Sequence, residues 1–186
     1  MNPIDSELLS RGLTYGEYRQ RIEKNSEVFD EVYRDPAFTA ADLDVLRRLP
    51  PLLIVAIGED WCPDVFHTLP TWARLAEELP GWSLRVFERD RNLQLMDSFL
   101  YREKSRRIPV YAFYDRNRSL QTWWSGRGAE AQEAVDGWLA GRAFADLDEA
   151  SRKDFARRFD SGYRERFRRS NFVEILALLR AFFHLR

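Results

Sequence analysis

Apolar positions along this chain follow two periods. Leu52-Leu53-Ile54-Val55-Ala56-Ile57 is a continuous branched run and reads as a buried strand. Ser83-Leu84-Arg85-Val86-Phe87-Glu88 alternates, as a strand does. Two further short runs, 109–114 and 119–124, flank the polar turn Asp115-Arg116-Asn117-Arg118 and read as a β-hairpin. Between the strands the period lengthens. Pro63 suits the first turn of a helix, and Phe66, Leu69, Trp72, Ala73, Leu75 and Ala76 follow at helical spacing, predicting a helix over 63–78. Helices over 92–103 and 127–140 complete the order β-α-β-α-β-β-α. The opening βαβ unit makes two strands parallel with a right-handed crossover, and the hairpin adds antiparallel ones. The pattern alone specifies an α/β class.

Both flanks are helical in pattern. The first dozen residues carry little periodicity and are expected to fray. Thr14-Tyr15-Gly16-Glu17 forms a capping box, with Leu13 and Tyr18 placed as its hydrophobic staple. Tyr15, Tyr18, Ile22, Phe29, Val32 and Tyr33 make the stripe of one helix that ends before Asp35-Pro36. Thr39 starts another, with Leu43, Leu46 and Leu49 on one face and Pro50-Pro51 as its stop. After Gly141, Phe155, Phe159, Tyr163 and Phe167 recur every fourth residue among many arginines. Asn171 is placed to cap a final helix carrying Phe172, Ile175, Leu176, Leu179, Phe182 and Phe183. These helices are expected to close over the sheet or the N-terminal helices. A homodimer contact or a lipid surface is the competing use of such a basic amphipathic stripe, weakened by Asp154, Asp160 and Glu165. The organisation expected is an N-terminal helical extension (1–50), a core (51–141) and a C-terminal helical extension (142–186) in one compact domain.

Chemistry concentrates in Ile57-Gly58-Glu59-Asp60-Trp61-Cys62-Pro63-Asp64-Val65, which places the sole cysteine at a strand-to-helix junction. A thiol at a helix N-terminus meets unpaired amides and the positive end of the dipole, and both favour the thiolate. Trp61 and Val65 add apolar surface that disfavours charge, and Glu59, Asp60 and Asp64 add like charge that raises a thiol pKa. His67 lies five residues from Cys62, off its helix face, so a local Cys–His dyad is not expected. One cysteine with His67 and His184 makes a zinc site improbable, and no metal or cofactor is expected. Asp60, Asp64, Glu88 and Asp90 fall near strand ends and read as solvated carboxylates.

The Trp61-Cys62 junction and Ile108-Pro109, which opens the third strand, resemble the thioredoxin superfamily. Its active site is Trp-Cys-x-x-Cys, and a cis-proline faces the first cysteine. The match extends to a bacterial thioredoxin-like family reading Glu-Asp-Trp-Cys-Gly-Asp-Cys, through Phe87-Glu88-Arg89-Asp90-Arg91-Asn92 and Trp124-Ser125-Gly126-Arg127, over about residues 15 to 140. The resemblance implies a thioredoxin fold: a central mixed four-stranded sheet flanked by helices, here with extra N-terminal and C-terminal helices. It also implies that Trp61, Pro63, Asp64, Val65, Ile108 and Pro109 line a substrate groove beside the catalytic Cys62. Two departures stand out. Val65 occupies the place of the second, resolving cysteine, and Ala56 that of a buried aspartate which assists proton transfer. A first thiolate attack on a disulfide remains possible, but resolution within the chain does not. The expected function is therefore monothiol thiol–disulfide exchange with an external thiol as resolver. The alternative is a redox-inactive binding module using the same groove.

Composition adds limits. At 186 residues and 45% hydrophobic, the chain can bury one good-sized core. A formal charge of −1 offers no bulk attraction for nucleic acid. No apolar run approaches the ~20 residues of a membrane span, and a single cysteine fits a reducing compartment, so a cytoplasmic protein is expected. Partners are expected among proteins or low-molecular thiols and disulfides.

Overall fold

The structure is a computed structural model and describes residues 4–185. Four strands, β1 (Leu53–Gly58), β2 (Ser83–Glu88), β3 (Val110–Tyr114) and β4 (Leu120–Ser125), form one sheet in the order β2-β1-β3-β4. β1 runs parallel to β2, from Leu53 opposite Ser83 to Gly58 opposite Glu88, and antiparallel to β3. β3 and β4 form the antiparallel hairpin. β1 and β3 are the central pair, which is why both are apolar without alternation: neither face meets water. The result is the α/β architecture expected, a mixed four-stranded sheet flanked by helices with further helices at both ends.

The N-terminal helices are α1 (Ser6–Ser10), α2 (Tyr15–Arg21), α3 (Ser26–Arg34) and α4 (Ala40–Leu46). Capping boxes at Thr14/Glu17 and Thr39/Asp42 start α2 and α4. Two expectations are corrected here. The first residues do not fray. Ile4 is buried and its N–H donates to the Arg118 carbonyl at 2.9 Å, while Leu13 and Val86 exchange both backbone bonds. Residues 1–3 of that stretch lie outside the described residues. The single stripe from Tyr15 to Tyr33 is two helices, broken where Asn25 takes the left-handed conformation (φ 58°).

The helix expected over 63–78 is also divided, into α5 (Pro63–Phe66) and α6 (Leu69–Glu78). Pro70 has no N–H to give the Phe66 carbonyl, so the chain cannot continue one regular helix through it. The helix expected over 92–103 shrinks to α7 (Leu93–Met96) between two 3₁₀ turns, followed by Arg102 and Glu103 at positive φ. Leu95, Met96 and Phe99 are its buried residues; beyond them no apolar stripe remains to hold another turn.

After α8 (Ala129–Leu139), α9 (Glu149–Gly162) passes through a π turn at Tyr163–Phe167 directly into α10 (Arg168–Phe182). Asn171 is thus inside a helix rather than a cap. It is 1% exposed, and neither amide atom has a hydrogen-bond partner among the described residues. Gly162 is required by close approach, because a Cβ there would overlap the Phe167 ring.

Both extensions enter the main core. Tyr18, Phe29 and Leu46 from one, and Phe172, Ile175 and Leu179 from the other, pack with the sheet residues. Phe159, Tyr163 and Phe167 form a second cluster with Ala131 and Val135. The aromatic stripe at 159–167 therefore faces inward, which removes it as a lipid-facing surface. Each such ring buried contributes about 2–3 kcal/mol. No helix among the described residues is long and apolar enough to cross a membrane.

Candidate functional site

β1 delivers the chain to the sulfur. Gly58 ends the strand where a Cβ would collide with the Val65 side chain, so the next turn can fold back close to the sheet. Cys62 is the N-cap of α5, and its carbonyl accepts from the N–H groups of Val65 (3.0 Å) and Phe66 (3.1 Å). Pro63 occupies the first helical position, where no N–H is needed. Across from this turn the Ile108–Pro109 peptide is cis. The Ile108 carbonyl lies 3.9 Å from the Cys62 sulfur, and the Pro109 carbonyl accepts from Gly126 N–H at 2.8 Å, tying that loop to the end of β4. Cys62, Val65, Ile108 and Pro109 thus meet at one place. Trp61 stands outward at its edge, 43% exposed, with the Arg89 guanidinium 5.0 Å above its ring.

Cys62 is 7% exposed. Burial pushes its pKa up to about 11; the Asp64 charge adds to this, while the Val65 and Asp64 amides and Arg127 pull the other way. Three carboxylates were expected to act on the sulfur, and only Asp64 does so. Glu59 accepts from the Asp90 N–H at 2.8 Å. Asp60 accepts from Glu23 and Lys24 N–H at 2.9 and 3.0 Å, pinning the break between α2 and α3. The helix start offsets little because α5 is four residues long.

Asp64 is not a solvated carboxylate. It is buried, takes a two-pronged ion pair from Arg127 (Nε to Oδ1 3.0 Å, Nη2 to Oδ2 2.8 Å), and accepts a short hydrogen bond from the Tyr163 hydroxyl. Burial, reinforced by Asp64, holds the Tyr163 pKa well above its ordinary value, so the hydroxyl stays a donor. Thr68 donates to the Asp64 carbonyl or shares a 2.6 Å hydrogen bond with Tyr111, closing the underside. His67 is stacked on Tyr163 with ring centroids 4.6 Å apart.

Arg127 and Tyr163 were the residues that sequence reasoning missed as parts of this site. Arg127 appeared only within the Trp124-Ser125-Gly126-Arg127 resemblance and at the start of an expected helix, and Tyr163 only as one ring of a packing stripe. A buried aspartate two residues past a cysteine asks for a cationic partner, but nothing in spacing says which of 26 arginines supplies it. Among the described residues, no group of three or more His, Cys, Asp or Glu side chains is arranged to hold a metal ion.

A thiol-bearing turn facing a cis X-Pro peptide, on a β2-β1-β3-β4 mixed sheet, defines a thioredoxin-like protein. Residues 12–144 match the family described as Thioredoxin, and the chain belongs to that family. Among solved structures, it is similar to a protein of unknown function from Pseudomonas aeruginosa, with a TM-score of 0.69 and 14% identity, over 97% of this chain and 99% of that one. It is also similar to an HIV epitope-scaffold, with a TM-score of 0.64 and 15% identity, over 94% and 96% of the two chains. Identities this low establish the shared fold. A comparison with curated proteins gives no match.

Proposed function

We propose that this chain is a thioredoxin-fold binding module. An extended segment of a protein partner lies between Trp61 and the Ile108–Pro109 loop, and Cys62 stays a protonated thiol. The observation that carries this reading is the burial of Cys62 beside Asp64, whose charge is locked in place by Arg127 and Tyr163. A nucleophilic thiol needs its anion, and this setting disfavours it. Val65, fully buried where the family keeps a resolving cysteine, points the same way. Exposed Trp61 supplies the aromatic anchor that interfaces favour.

Monothiol exchange is the second reading. It is favoured by the junction of Cys62 with the Ile108 carbonyl, which keeps the geometry in which the family holds a mixed disulfide, and by the Glu-Asp-Trp-Cys-x-Asp resemblance. Selection of binders from a displayed peptide library separates the two. The module predicts extended ligands whose binding falls at least about tenfold in Trp61→Ala and is unchanged in Cys62→Ser. Capture that requires Cys62 and is reversed by reductant would establish exchange instead.

A further inference from the structure

A cavity of about 420 Å³ opens between α5, α8 and the C-terminal extension, with Arg127 also in its lining. Its size lies within the range of small-molecule sites. Phe66, Leu139, Phe155 and Phe159 are among its apolar walls, and His67 and Asp160 supply polar atoms at one end. The side chain of His67 is wholly buried. Its Nδ1 lies 3.3 and 3.1 Å from Nε and Nη2 of Arg168, which can only donate, so Nδ1 accepts and the proton of the neutral ring sits on Nε2. The ring is held neutral by burial and by the charges of Arg168 and Arg164, which outweigh Glu31. Nε2–H is therefore a donor, yet it has no hydrogen-bond partner among the described residues. Asp160 Oδ1 is 3.2 Å away but out of line for a bond.

A buried donor left unpaired costs about 1–3 kcal/mol, so an acceptor is wanted at this point. The neighbouring carboxylate restricts what that acceptor can be. A ligand carboxylate at Nε2 would sit against Asp160 Oδ1, the oxygen that Arg164, paired with Oδ2 at 2.8 Å, does not take. An ammonium could donate to Asp160 but not accept from Nε2–H, and a ketone could accept but not donate. A hydroxyl does both.

From this pairing we infer a binding site for a small neutral molecule with an apolar body and one hydroxyl, an alcohol or phenol, that accepts from His67 Nε2–H and donates to Asp160. The cavity adjoins the peptide groove through Pro63 and Arg127, but neither Cys62 nor Pro109 lines it.

Titration of the full chain with 2-naphthol, naphthalene and 2-naphthoate tests the inference, followed by calorimetry and by the nitrogen resonance of the His67 ring. Expected is saturable binding of 2-naphthol, at least about tenfold tighter than either analogue, with a shift at Nε2. Ala156, on the exposed rim, allows a second check. Ala156→Trp should weaken 2-naphthol at least tenfold while the melting temperature holds. No saturation by 2-naphthol, equal affinity for the three probes, preference for the carboxylate, or binding indifferent to Ala156→Trp would each overturn it.

Discussion

Two aspartates bracket Cys62 at equal distance in sequence, and the fold uses them in opposite ways. Asp60, two residues before, is half-buried and accepts from two neutral backbone amides of the N-terminal extension, with its own carbonyl taking the Asn25 side-chain amide at 2.8 Å. Asp64, two residues after, is buried and holds a guanidinium and a phenol; Tyr163 belongs to the C-terminal extension. Each extension is thus anchored to one side of the cysteine turn. The difference lies in the medium. At Asp60, water screens the charge and the sulfur does not feel it. At Asp64 little water intervenes, and the same charge raises the thiol pKa.

Asp64→Asn should break that contrast most strongly. It leaves Arg127, with a side chain only 22% exposed, without its counter-charge, and an expected loss of about 3 kcal/mol would show in urea unfolding. The thiol pKa should fall in the same variant, since the like charge is gone. Next in size is the acid limb of stability. His67 titrates near 6.5 in the unfolded chain and near 3 in the folded one. The unfolded state therefore binds the extra proton, and stability falls as pH drops from 6.5 toward 3. Between pH 6.5 and 5, above the carboxylate range, this residue should account for about 1–2 kcal/mol of the loss, and His67→Gln should flatten that part of the curve. Smallest is Asp60→Asn, expected to cost about 1 kcal/mol because its hydrogen bonds are exposed. Hydrogen exchange should quicken at the Glu23 and Lys24 amides and leave the Cys62 titration unmoved. An Asp60 variant that shifted the thiol as far as the Asp64 variant does would erase the distinction between them.

How much of this was legible in the chain follows from range. The central strands could be read because Leu52–Ile57 and Val110–Tyr114 are buried on both faces and carry the fact in their own composition. The capping boxes at Thr14 and Thr39 are four-residue events, and they too were legible. The meeting of Cys62 with Ile108-Pro109 was reached through family resemblance, since spacing alone links nothing across 46 residues. The breaks at Asn25 and at His67–Thr68 were missed, the first because the polar loop is held by Asp60 from a distant turn, the second because Pro70 was passed over within an otherwise regular stripe. The Asp64–Arg127–Tyr163 cluster was missed for the reason that hid Asp64 itself: a charged residue in a polar stretch looks solvated until a distant partner closes over it.

The fold keeps Cys62 protonated. The rate of alkylation of the native protein against pH, read by intact mass, tests it directly because there is one sulfur of this kind to modify. A midpoint near 11 is expected, well above the ~8.5 of a free thiol, with modification at pH 7 far slower than in the unfolded chain. A midpoint below that of a free thiol, with rapid native modification at pH 7, would contradict it and return the site to thiol exchange.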